Sequence, residues 1–492
     1  MTLADVVRML PEVKLMNVDV ETLQKTIFKI GSDSRQIEQG ELFIALKGEN
    51  FDGNQFLPEV FAKGALAALA SSDEVVAREM PVLLVPDTLE AIQLLAQSWR
   101  TELATRLAVV TGSNGKTTVK EMIASIFEQA VGTDCALSTK GNFNNEIGLP
   151  LTLLRLNGNH RLAVIELGMN HVGETAVLAD LARPDIALIN NAQREHQEFL
   201  KGVQAVAEEH AHVLDALGSS GIAVFPADSE YSALWRDRAG NRPVIDFQLL
   251  KTNELIPGGP VVQGFWASQS VLNIAITPKD STKSMLQVQV QLNILGEHNA
   301  RNALAATAVA LGAGIDIQAI RSGLEKFTPV AGRMQVKGLP NFGELGIVID
   351  DTYNANPDSV RAAVDVLAEL DGKRWLVLGD MGEVGDQGPK FHQEVGEYAK
   401  NRGIDCLFAT GTLTWESVSS FNSTIGPLQA NHGDGAWHFE DAESLSLELK
   451  SRLQVMKREF QNPAVSILVK GSRFTKMERV VNTLLREEST CC

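Results

Sequence analysis

Cysteine is scarce in this sequence, and its four copies are poorly spaced for any joint role: Cys135, Cys406, Cys491 and Cys492. This number and spacing argue against a disulfide framework and against a cysteine-ligated zinc site. We expect the terminal pair to be part of a frayed tail. The amino terminus, MTLADVVRMLPEVKL, has no basic stretch followed by a long apolar core, so we expect no secretory leader. A reducing cytoplasm fits both features.

Long apolar runs and an excess of positive charge are also missing. No run approaches the roughly 20 apolar residues of a membrane-spanning helix, which argues against membrane insertion. The formal net charge of −17 argues against a broad surface for nucleic acid or anionic lipid, although a local basic pocket remains compatible with it. The composition is otherwise that of a globular protein, and a length of 492 residues predicts about three domains.

An anion site is predicted where an apolar strand is followed by a glycine turn and a helix, in LAVVTGSNGKTT at 107–118. The free N–H groups and the positive dipole end of a helix N-terminus favour phosphate. Lys116 adds a positive charge, and the Thr117 hydroxyl can reach a magnesium ion on the phosphates. The sequence therefore predicts an ATP or GTP site, and a plain glycine turn with a surface lysine is the weaker alternative. The candidate phosphate-binding residues are Gly112, Ser113, Asn114, Gly115, Lys116, Thr117 and Thr118.

The pattern of strands and helices divides the chain into three α/β parts. Residues 1–102 contain short strands and helices with glycine turns. Residues 103–328 alternate buried strands, at 106–110, 162–167 and 185–190, with helices, and the period-two segments between 255 and 295 predict antiparallel edge strands. Residues 329–492 again alternate strands with helices, which predicts a second doubly wound sheet. In the first helix of that part, Val360, Val364 and Leu367 fall on one apolar face.

Polar side chains follow several of the predicted strands, and open α/β sheets bind ligands beyond the carboxyl ends of their strands. Glu166 ends the strand LAVIE and is a good candidate for a magnesium ligand. Asn190 and Asn191 end the next strand, and His196 in the loop beyond could bind a second metal ion or a phosphate. A solvent-facing glutamate and a structural histidine are the simpler alternatives.

Two asparagine-rich segments could bind a polar ligand without adding charge. The loop GNFNNEIGLP carries Asn144 and Asn145, and the segment GEHNARNALAA carries Asn299 and Asn302. The last two are three residues apart, so they share a helical face, where their amides could pair with an adenine edge. A capped turn and a helix N-cap at Asn299 are the alternatives.

The third part of the chain offers further polar groups at strand ends. Arg333 lies in a glycine turn, and Asp351 ends a strand where it could hold ribose hydroxyls or a metal. The loop that follows carries Tyr353, Asn354 and Asn356. A last cluster, formed by Lys470, Ser472 and Arg473, could bind a carboxylate.

These motifs together resemble the Mur ligases over nearly the whole chain. The resemblance is carried by TGSNGKTT, VIELGMNH, GEHNARNALAA, the AGR turn at 331–333 and the C-terminal nucleotide-binding-like domain. Within the family, the segments DSR, FIALKGENFDG, GNFNNEIGLP, DDTYNANPDS, LGDMGEVG and LVKGSR are most similar to the branch that adds a dipeptide. The resemblance implies a small α/β N-terminal domain that binds the UDP-sugar, a central P-loop ATPase domain and a C-terminal Rossmann-like domain that binds the dipeptide and closes on ATP.

The resemblance also implies a reaction. ATP, with Mg2+, phosphorylates the terminal carboxylate of UDP-N-acetylmuramoyl-tripeptide, and the amine of D-alanyl-D-alanine attacks the acyl phosphate. We expect a monomer, no nucleic acid and no membrane insertion. The alternatives are a Mur ligase that adds the third amino acid, a folylpolyglutamate-type ligase, or a nucleotide-switched binding protein without ligase chemistry.

The same resemblance assigns roles to the candidate residues. Lys116 binds phosphate, Thr117 and Glu166 hold the first magnesium ion, and His196 ligates a second one. Asn299 and Asn302 lie on the adenine side, Arg333 contacts phosphate and Asp351 contacts the ribose. The UDP-sugar is assigned to Ser34, Arg35 and Lys47, the muramoyl-peptide to Asn144 and Asn145, and the incoming dipeptide to Tyr353, Asn354 and Asn356.

One departure from the family concerns a carbamylated lysine that helps to place the second magnesium ion in many Mur ligases. His210 stands at that position here, directly after Glu208 and Glu209, and no lysine occurs between Lys201 and Lys251. Either His210 or a neighbouring glutamate substitutes for the lysine, or the second metal is held differently.

Overall fold

The computed structural model describes residues 1–268, 270–277, 284–340, 342–423, 434–460 and 463–486. Cys491 and Cys492, and with them the predicted frayed tail, lie outside these ranges. Within the described ranges, three separate β-sheets organise the chain. In the same ranges, no helix is both long enough and apolar enough to cross a membrane.

The first sheet has the strand order β1-β5-β4-β3-β2, with β1 antiparallel to β5 and the other neighbours parallel. Its elements are α1 Leu3–Met9, β1 Lys14–Met16, α2 Val20–Gln24, β2 Ile30–Gly31, β3 Leu42–Ile44, α3 Leu57–Ala62, β4 Ala67–Ala70, β5 Val82–Leu84 and α4 Thr88–Thr101. Asp87 caps α4 by accepting from two backbone N–H groups of its first turn. At the other end of α4, Trp99 donates to the Leu156 carbonyl and Arg100 donates to Asp185, so this helix joins the first sheet to the next part of the chain.

The second sheet has the order β14-β13-β12-β11-β10-β9-β6-β8-β7. Its strands are β6 Arg106–Thr111, β7 Ala136–Ser138, β8 Leu162–Glu166, β9 Ile186–Ile189, β10 Ile222–Pro226, β11 Val244–Leu250, β12 Val262–Ser268, β13 Val271–Ile276 and β14 Leu286–Gln291. Its helices are α5 Lys116–Val131, α6 Gly148–Leu153, α7 Glu174–Ala182, α8 Val203–Asp215, α9 Ser232–Ala239, α10 Glu297–Gly312 and α11 Ile317–Lys326. The predicted parallel strands are confirmed as β6, β8 and β9.

The predicted antiparallel edge is also confirmed, because β13 runs antiparallel to both β12 and β14. It is joined to the parallel part of the sheet by β12, which pairs parallel with β11. Three further strands of this sheet, β7, β10 and β11, were not predicted. One of them, β7, is only three residues long, which is too short for a periodic pattern.

The third sheet has the order β15-β16-β20-β17-β18-β19, and its neighbours are parallel except for β15. Its elements are β15 Gln335–Gly338, β16 Gly346–Asp351, α12 Pro357–Ala368, β17 Lys373–Gly379, α13 Gly388–Asn401, β18 Cys406–Thr410, α14 Thr414–Ser423, β19 Gly435–Phe439, α15 Ala442–Glu459, β20 Val465–Lys470 and α16 Glu478–Leu485. The apolar face predicted for α12 is confirmed, since Val360, Val364 and Leu367 are fully buried. The two edge strands, β15 and β19, were not predicted.

The hydrophobic cores do not stop at the predicted domain limits. One cluster of buried residues includes Leu95 of α4 and Leu153 of α6, and another includes Val110 of β6 and Leu376 of β17. Each sheet nevertheless falls within one of the segments 1–102, 103–328 and 329–492, whose exact limits stay a prediction. The shared cores place the carboxyl ends of the second and third sheets close to one another.

Candidate functional site

The predicted phosphate loop lies between β6 and α5. Gly112 and Gly115 have φ of 134° and 78°, in the left-handed region that favours glycine. A Cβ at Gly115 would lie 2.6 Å from Oδ1 of Asn302, and one at Gly112 would lie 3.0 Å from Cβ of Asn190. Glycine is therefore required at both positions. Because α5 begins directly after Gly115, its first backbone N–H groups are available to an anion.

Lys116 is held against this loop by its own backbone and by a carboxylate. Its Nζ donates to the Gly112 carbonyl and lies 3.4 Å from Oε2 of Glu195. The Lys116 side chain is 17% exposed and that of Glu195 is 5% exposed. The positive charge predicted from the motif is thus fixed in a partly desolvated place, where electrostatic interactions are stronger than in water.

Glu195 is oriented from behind by His210, which is fully buried on α8. Nε2 of His210 lies 2.9 Å from Oε1 of Glu195, and Nδ1 lies 2.9 Å from Oγ1 of Thr111 at the end of β6. Burial opposes ionisation of Glu195, but the charge of Lys116 and the hydrogen bond from His210 outweigh it and lower the pKa of this carboxyl. Glu195 is therefore an ionised carboxylate built into the phosphate site.

A role was predicted for His196 and none for its neighbour Glu195. The signal in the sequence was its position next to His196, in the polar loop that follows Asn190 and Asn191. The residues at and before the position of the missing lysine have different surroundings. His210 is buried away from the cavity, Glu208 is exposed, and Glu209 accepts from two backbone N–H groups at the start of α7. Among Glu195, Glu208 and Glu209, only Glu195 lines the cavity and contacts the P-loop, through Lys116.

A chain of buried amides lies directly behind the phosphate loop. Asn190 donates to the Asn114 carbonyl over 2.8 Å and to Oδ1 of Asn302 over 3.0 Å, and Asn302 donates to Oδ1 of Asn299. Asn299 and Asn302 therefore share a face of α10, as their spacing predicts. Gly296 precedes the first residue of this helix, so the alternative of Asn299 as an N-cap is wrong. The adenine role of both amides stays a prediction.

The residues predicted to hold magnesium line one cavity with the P-loop. Oε1 of Glu166 accepts from Asn144 over 2.9 Å, while Oε2 is buried and has no hydrogen-bond partner in the described part of the chain. An unpartnered carboxylate oxygen in the cavity that Thr117 also lines fits a magnesium ion. No group of three or more His, Cys, Asp or Glu side chains forms a metal cage within the ranges described above. Mg2+ is commonly bound by one or two carboxylates together with phosphates and water, which agrees with this arrangement.

His196 lies at the border with the third sheet. Its Nδ1 is 2.7 Å from Oε2 of Glu383, and its Nε2 is 3.7 Å from Oε2 of Glu195. The contact with His196 lowers the pKa of Glu383 in spite of partial burial. His196 also has a φ of 46°, which non-glycine residues rarely adopt, so its placement is imposed by its surroundings. Its role as a second metal ligand stays a prediction.

The two asparagines of the GNFNNEIGLP loop have different partners. Asn144 orients Glu166, as described above, and its carbonyl accepts from the Gly168 N–H. Oδ1 of Asn145 accepts from the N–H of Gly148, the first residue of α6. The capping alternative therefore holds for Asn145, although both side chains line the cavity.

The cavity has two walls, one formed by the P-loop side of the second sheet and the other by the loops of the third sheet. The third part of the chain supplies positive charge from the second of these walls. The Arg333 guanidinium lies 4.1 Å from the Tyr353 ring centroid, and its Nε is buried without a partner among the described residues. This free donor suits an anion. Lys470, by contrast, is already engaged, because its Nζ donates to Asp351 and to the carbonyl of Asn354.

Asn356 connects the two walls. It caps α12 by accepting from the Ser359 N–H, and its amide donates to Oδ1 of Asn114 over 2.8 Å. Ser472 bridges backbone groups of neighbouring loops. Arg473 lines the cavity, is 70% exposed and lies 3.4 Å from Glu478, so its charge is solvent-accessible and only loosely paired.

A cavity of about 1830 Å3 brings together candidate residues from the second and third sheets. The candidates that line it are Ser113–Thr118, Asn144, Asn145, Glu166, His196, Asn299, Asn302, Arg333, Asp351, Tyr353, Asn354, Asn356, Lys470, Ser472 and Arg473. Glu195 lines it as well. This arrangement places an anion-binding loop, the Glu166 carboxylate with its one partnerless oxygen among the described residues, and several cationic side chains around one space large enough for a nucleotide and a second ligand.

The N-terminal candidates lie elsewhere. Ser34, Arg35 and Lys47 do not line this cavity. Arg35 is 84% exposed and forms an ion pair with Asp33, and Lys47 is 69% exposed and lies 3.7 Å from Asp52. The structure therefore does not bring them to the phosphate site, and their assignment to the UDP-sugar stays a prediction.

Comparison with known proteins agrees with this geometry. Three family models match the chain: the Mur ligase family catalytic domain over residues 26–100, the Mur ligase middle domain over 110–310, and the Mur ligase glutamate ligase domain over 332–473. The UDP-N-acetylmuramoyl-tripeptide–D-alanyl-D-alanine ligase of Escherichia coli is 37% identical, covering 97% of this chain and 98% of the relative. The ligase of the same name from Haemophilus influenzae is 36% identical, covering 95% and 94%.

Solved structures are similar as well. The crystal structure of MurF from Acinetobacter baumannii superposes with a TM-score of 0.83 at 29% identity, covering 99% of each chain. A MurF ligase from Thermotoga maritima, solved in complex with ADP, shares the fold with a TM-score of 0.73 at 23% identity, covering 93% of this chain and 97% of that one. The predicted fold class is confirmed, and the phosphate loop, the partnerless Glu166 oxygen and these full-length matches show that the chain belongs to the Mur ligase family.

Proposed function

We propose that this protein is an ATP-dependent ligase that joins D-alanyl-D-alanine to UDP-N-acetylmuramoyl-tripeptide. The products are UDP-N-acetylmuramoyl-pentapeptide, ADP and phosphate, which places the reaction in the synthesis of peptidoglycan precursors. The observation that carries the proposal is the single cavity in which the P-loop, Lys116 and Glu166 face the polar loops of the third sheet. The names of the full-length relatives supply the substrates.

The chemistry begins with a carboxylate, which is a poor electrophile at neutral pH. Transfer of the ATP γ-phosphate to the terminal carboxylate of the tripeptide gives an acyl phosphate, with phosphate as its leaving group. Lys116 and the N-terminus of α5 bind the β- and γ-phosphates, and they offset the repulsion between the two anions. Thr117 and Glu166 would hold a first Mg2+ and His196 would be a ligand of a second one, and these ions would supply charge neutralisation on the phosphates.

The acceptor side is assigned to the third part of the chain. The amine of the dipeptide attacks the acyl carbon, and loss of phosphate from the tetrahedral intermediate forms the new amide bond. Tyr353, Asn354 and Asn356 border the space in front of the P-loop. Because Lys470 is buried and bound to Asp351, we assign the carboxylate of the dipeptide to Arg473, which is 70% exposed and has only a long, 3.4 Å contact to Glu478 to give up.

The UDP-sugar is assigned to the N-terminal part, through Ser34, Arg35 and Lys47, and the peptide arm to Asn144 and Asn145. The adenine is assigned to the side of Asn299 and Asn302, and the ribose to Asp351. We further propose that the protein acts as a monomer in the cytoplasm, where ATP and nucleotide sugars are available. No part of the reaction requires a membrane or a nucleic acid.

The proposal is tested by measuring ADP and phosphate formation with a panel of UDP-muramoyl-peptides and amine acceptors. We expect turnover only when UDP-N-acetylmuramoyl-tripeptide and D-alanyl-D-alanine are both present, with a diaminopimelate or a lysine form of the tripeptide preferred. Product mass identifies the new amide bond, and the Lys116→Ala variant serves as the inactive control. Turnover of a UDP-muramoyl-dipeptide with a single amino acid as acceptor, or turnover of a folate, would assign the chain to another branch. Nucleotide hydrolysis without any amide product would instead favour a nucleotide switch.

A further inference from the structure

A short turn between β9 and α8 touches both walls of the cavity. It consists of Gln193, Arg194, Glu195 and His196, and we call it the coupling turn. The Glu195 N–H donates to the Gln193 carbonyl over 3.0 Å, which closes a three-residue turn with Arg194 at its tip. Gln193 and Glu195 therefore lie on the P-loop side, and Arg194 points the opposite way.

The inner side of the coupling turn holds the phosphate loop. Oε1 of Gln193 accepts from the Asn114 amide over 2.7 Å, and the Gln193 N–H donates to Oγ of Ser113 over 2.9 Å. Glu195 holds Lys116, as described above. Three residues of the loop, Ser113, Asn114 and Lys116, are thus held by contacts from this turn.

The outer side of the coupling turn is fixed by the third part of the chain. Arg194 donates to Asp358 in the first turn of α12 through its backbone N–H and through two guanidinium nitrogens, at 2.7–3.2 Å. A third guanidinium nitrogen donates to Glu394 of α13 over 2.7 Å, and the group lies 5.1 Å from the Phe391 ring centroid. The Arg194 side chain is 21% exposed, so this forked ion pair is partly shielded from water.

Adjacent residues of a chain cannot move independently, because consecutive Cα atoms are about 3.8 Å apart. If α12 and α13 withdraw, Arg194 loses both carboxylates, and the tip of the turn is released. Gln193 and Glu195 then lose the constraint that aims them at the P-loop. Conversely, when the third part of the chain docks, its carboxylates fix Arg194, and through the turn they also fix the phosphate loop.

We propose that Arg194 is a positioning residue, through which docking of the third part of the chain sets the geometry of the ATP loop. Arg194 acts through Gln193 and Glu195 and does not itself hold a reacting atom. This inference rests on the proposed ligase function for its kinetic consequence, because the dipeptide side and the ATP side must be assembled together before phosphate is transferred.

The test compares Arg194→Ala, Arg194→Lys and Asp358→Asn with wild type. We expect Arg194→Ala to lower kcat about tenfold, with a smaller change in the KM for ATP, and Arg194→Lys to recover part of the loss. Hydrogen exchange of peptides covering residues 112–118, measured with ADP bound, should become faster in Arg194→Ala and in Asp358→Asn. The double variant Arg194→Ala/Asp358→Asn should show the same kcat and P-loop exchange as Arg194→Ala, because both substitutions remove the same ion pair.

The matched control is Arg402→Ala. Arg402 lies at the end of α13 and pairs with Asp365 of α12 over 2.6 Å, so this change removes an arginine ion pair from the same two helices without touching the coupling turn. Its kcat and P-loop exchange should stay within about twofold of wild type. Unchanged P-loop exchange in Arg194→Ala, or an equal effect of Arg402→Ala, would overturn the inference. A wild-type enzyme without turnover would instead refute the proposed function, and the exchange comparison would still test the coupling.

Discussion

The phosphate region and the N-terminal candidate region differ in how their charged groups are held. Around the P-loop, Lys116 and Glu195 are largely buried and are fixed by partners that are themselves buried. In the N-terminal part, Arg35 and Lys47 are 84% and 69% exposed and pair only with a nearby aspartate. The first region is oriented before any ligand arrives, whereas the second has side chains that are free to rearrange.

This difference has an energetic consequence. A charge in a water-poor cavity interacts strongly with a bound anion, and its removal leaves other buried groups without a partner. An exposed charge is screened by water and salt, and a surface ion pair typically contributes about 0–1 kcal/mol. We therefore expect substitutions in the phosphate region to affect turnover far more than substitutions among the N-terminal candidates.

The largest effect is expected for Lys116→Ala. Removing a preorganised group that stabilises transition-state charge typically costs about 10²–10³ in rate, and Lys116 also balances the buried charge of Glu195. ADP formation under saturating substrates measures the loss, and thermal unfolding checks that the variant is folded. Normal turnover in this variant would remove the basis for placing ATP on the loop.

The phosphate region should also respond to acid, because burial lowers the pKa of His298 to about 4, with Asp351 opposing and Lys470 adding to the shift. His298 contacts the Asn299 amide over 3.0 Å, so its neutral form supports the chain of amides behind the P-loop. The unfolded chain takes up this proton near pH 6.5, whereas the folded chain resists it until about pH 4. The folded state therefore loses about 2 kcal/mol of stability from this group between pH 7 and pH 5.

Urea unfolding of wild type and of His298→Gln at both pH values measures this contribution. Other histidines titrate in both proteins, so the difference between the two pH dependences isolates His298. We expect the variant to lose less stability on acidification than wild type. An identical pH dependence would mean that His298 is protonated as easily in the folded state as in the unfolded one.

A smaller loss is expected for Glu195→Gln, about tenfold in kcat, because Lys116 keeps its loop contacts but loses its counter-charge. Since the pKa of Glu195 is lowered, its carboxylate stays charged throughout the neutral range, and its titration should not appear in the activity profile above pH 5. Glu208→Gln, an exposed change on α8, is the matched control. Equal activities of the two variants would show that the buried carboxylate has no part in the reaction.

The two regions also differ in what the sequence could predict. The P-loop and Glu166 could be predicted because strand, turn and helix are contiguous, so local pattern decides where the side chains lie. Glu195 and His210 could not be ranked in the same way, because Glu195 contacts Lys116, 79 residues away in the chain, and His210 contacts Thr111, 99 residues away. The exposure of Arg35 could not be predicted from its motif either, because exposure depends on which elements pack over the turn that carries this residue.

For the fold as well, features set by local sequence pattern could be predicted and features set by distant contacts could not. Long buried strands such as β6 and β16, each followed by an amphipathic helix, have a pattern that predicts a parallel sheet. The strands that were not predicted include β15, whose residues are partly exposed at the sheet edge, and β7, which is three residues long. Such strands are specified by the backbone of a neighbour that pairs with them, and pairing across a sheet leaves little trace in a single sequence.

The smallest effect is expected for Arg35→Ala, and it tests the other side of the comparison. Arg35 hydrogen-bonds to Asp33 and lowers the pKa of that carboxyl to about 2, so its removal exposes an unpaired negative charge near the proposed UDP site. We expect the KM for the UDP-substrate to rise about threefold, with kcat unchanged, and the rise to shrink at high salt. Lys25→Ala, which breaks an exposed ion pair with Glu21 in the same part of the chain, is the control and should match wild type. A loss of kcat as large as that of Lys116→Ala would show that this exposed arginine becomes part of the reacting assembly when substrate binds, and that the contrast between the two regions holds only for the free protein.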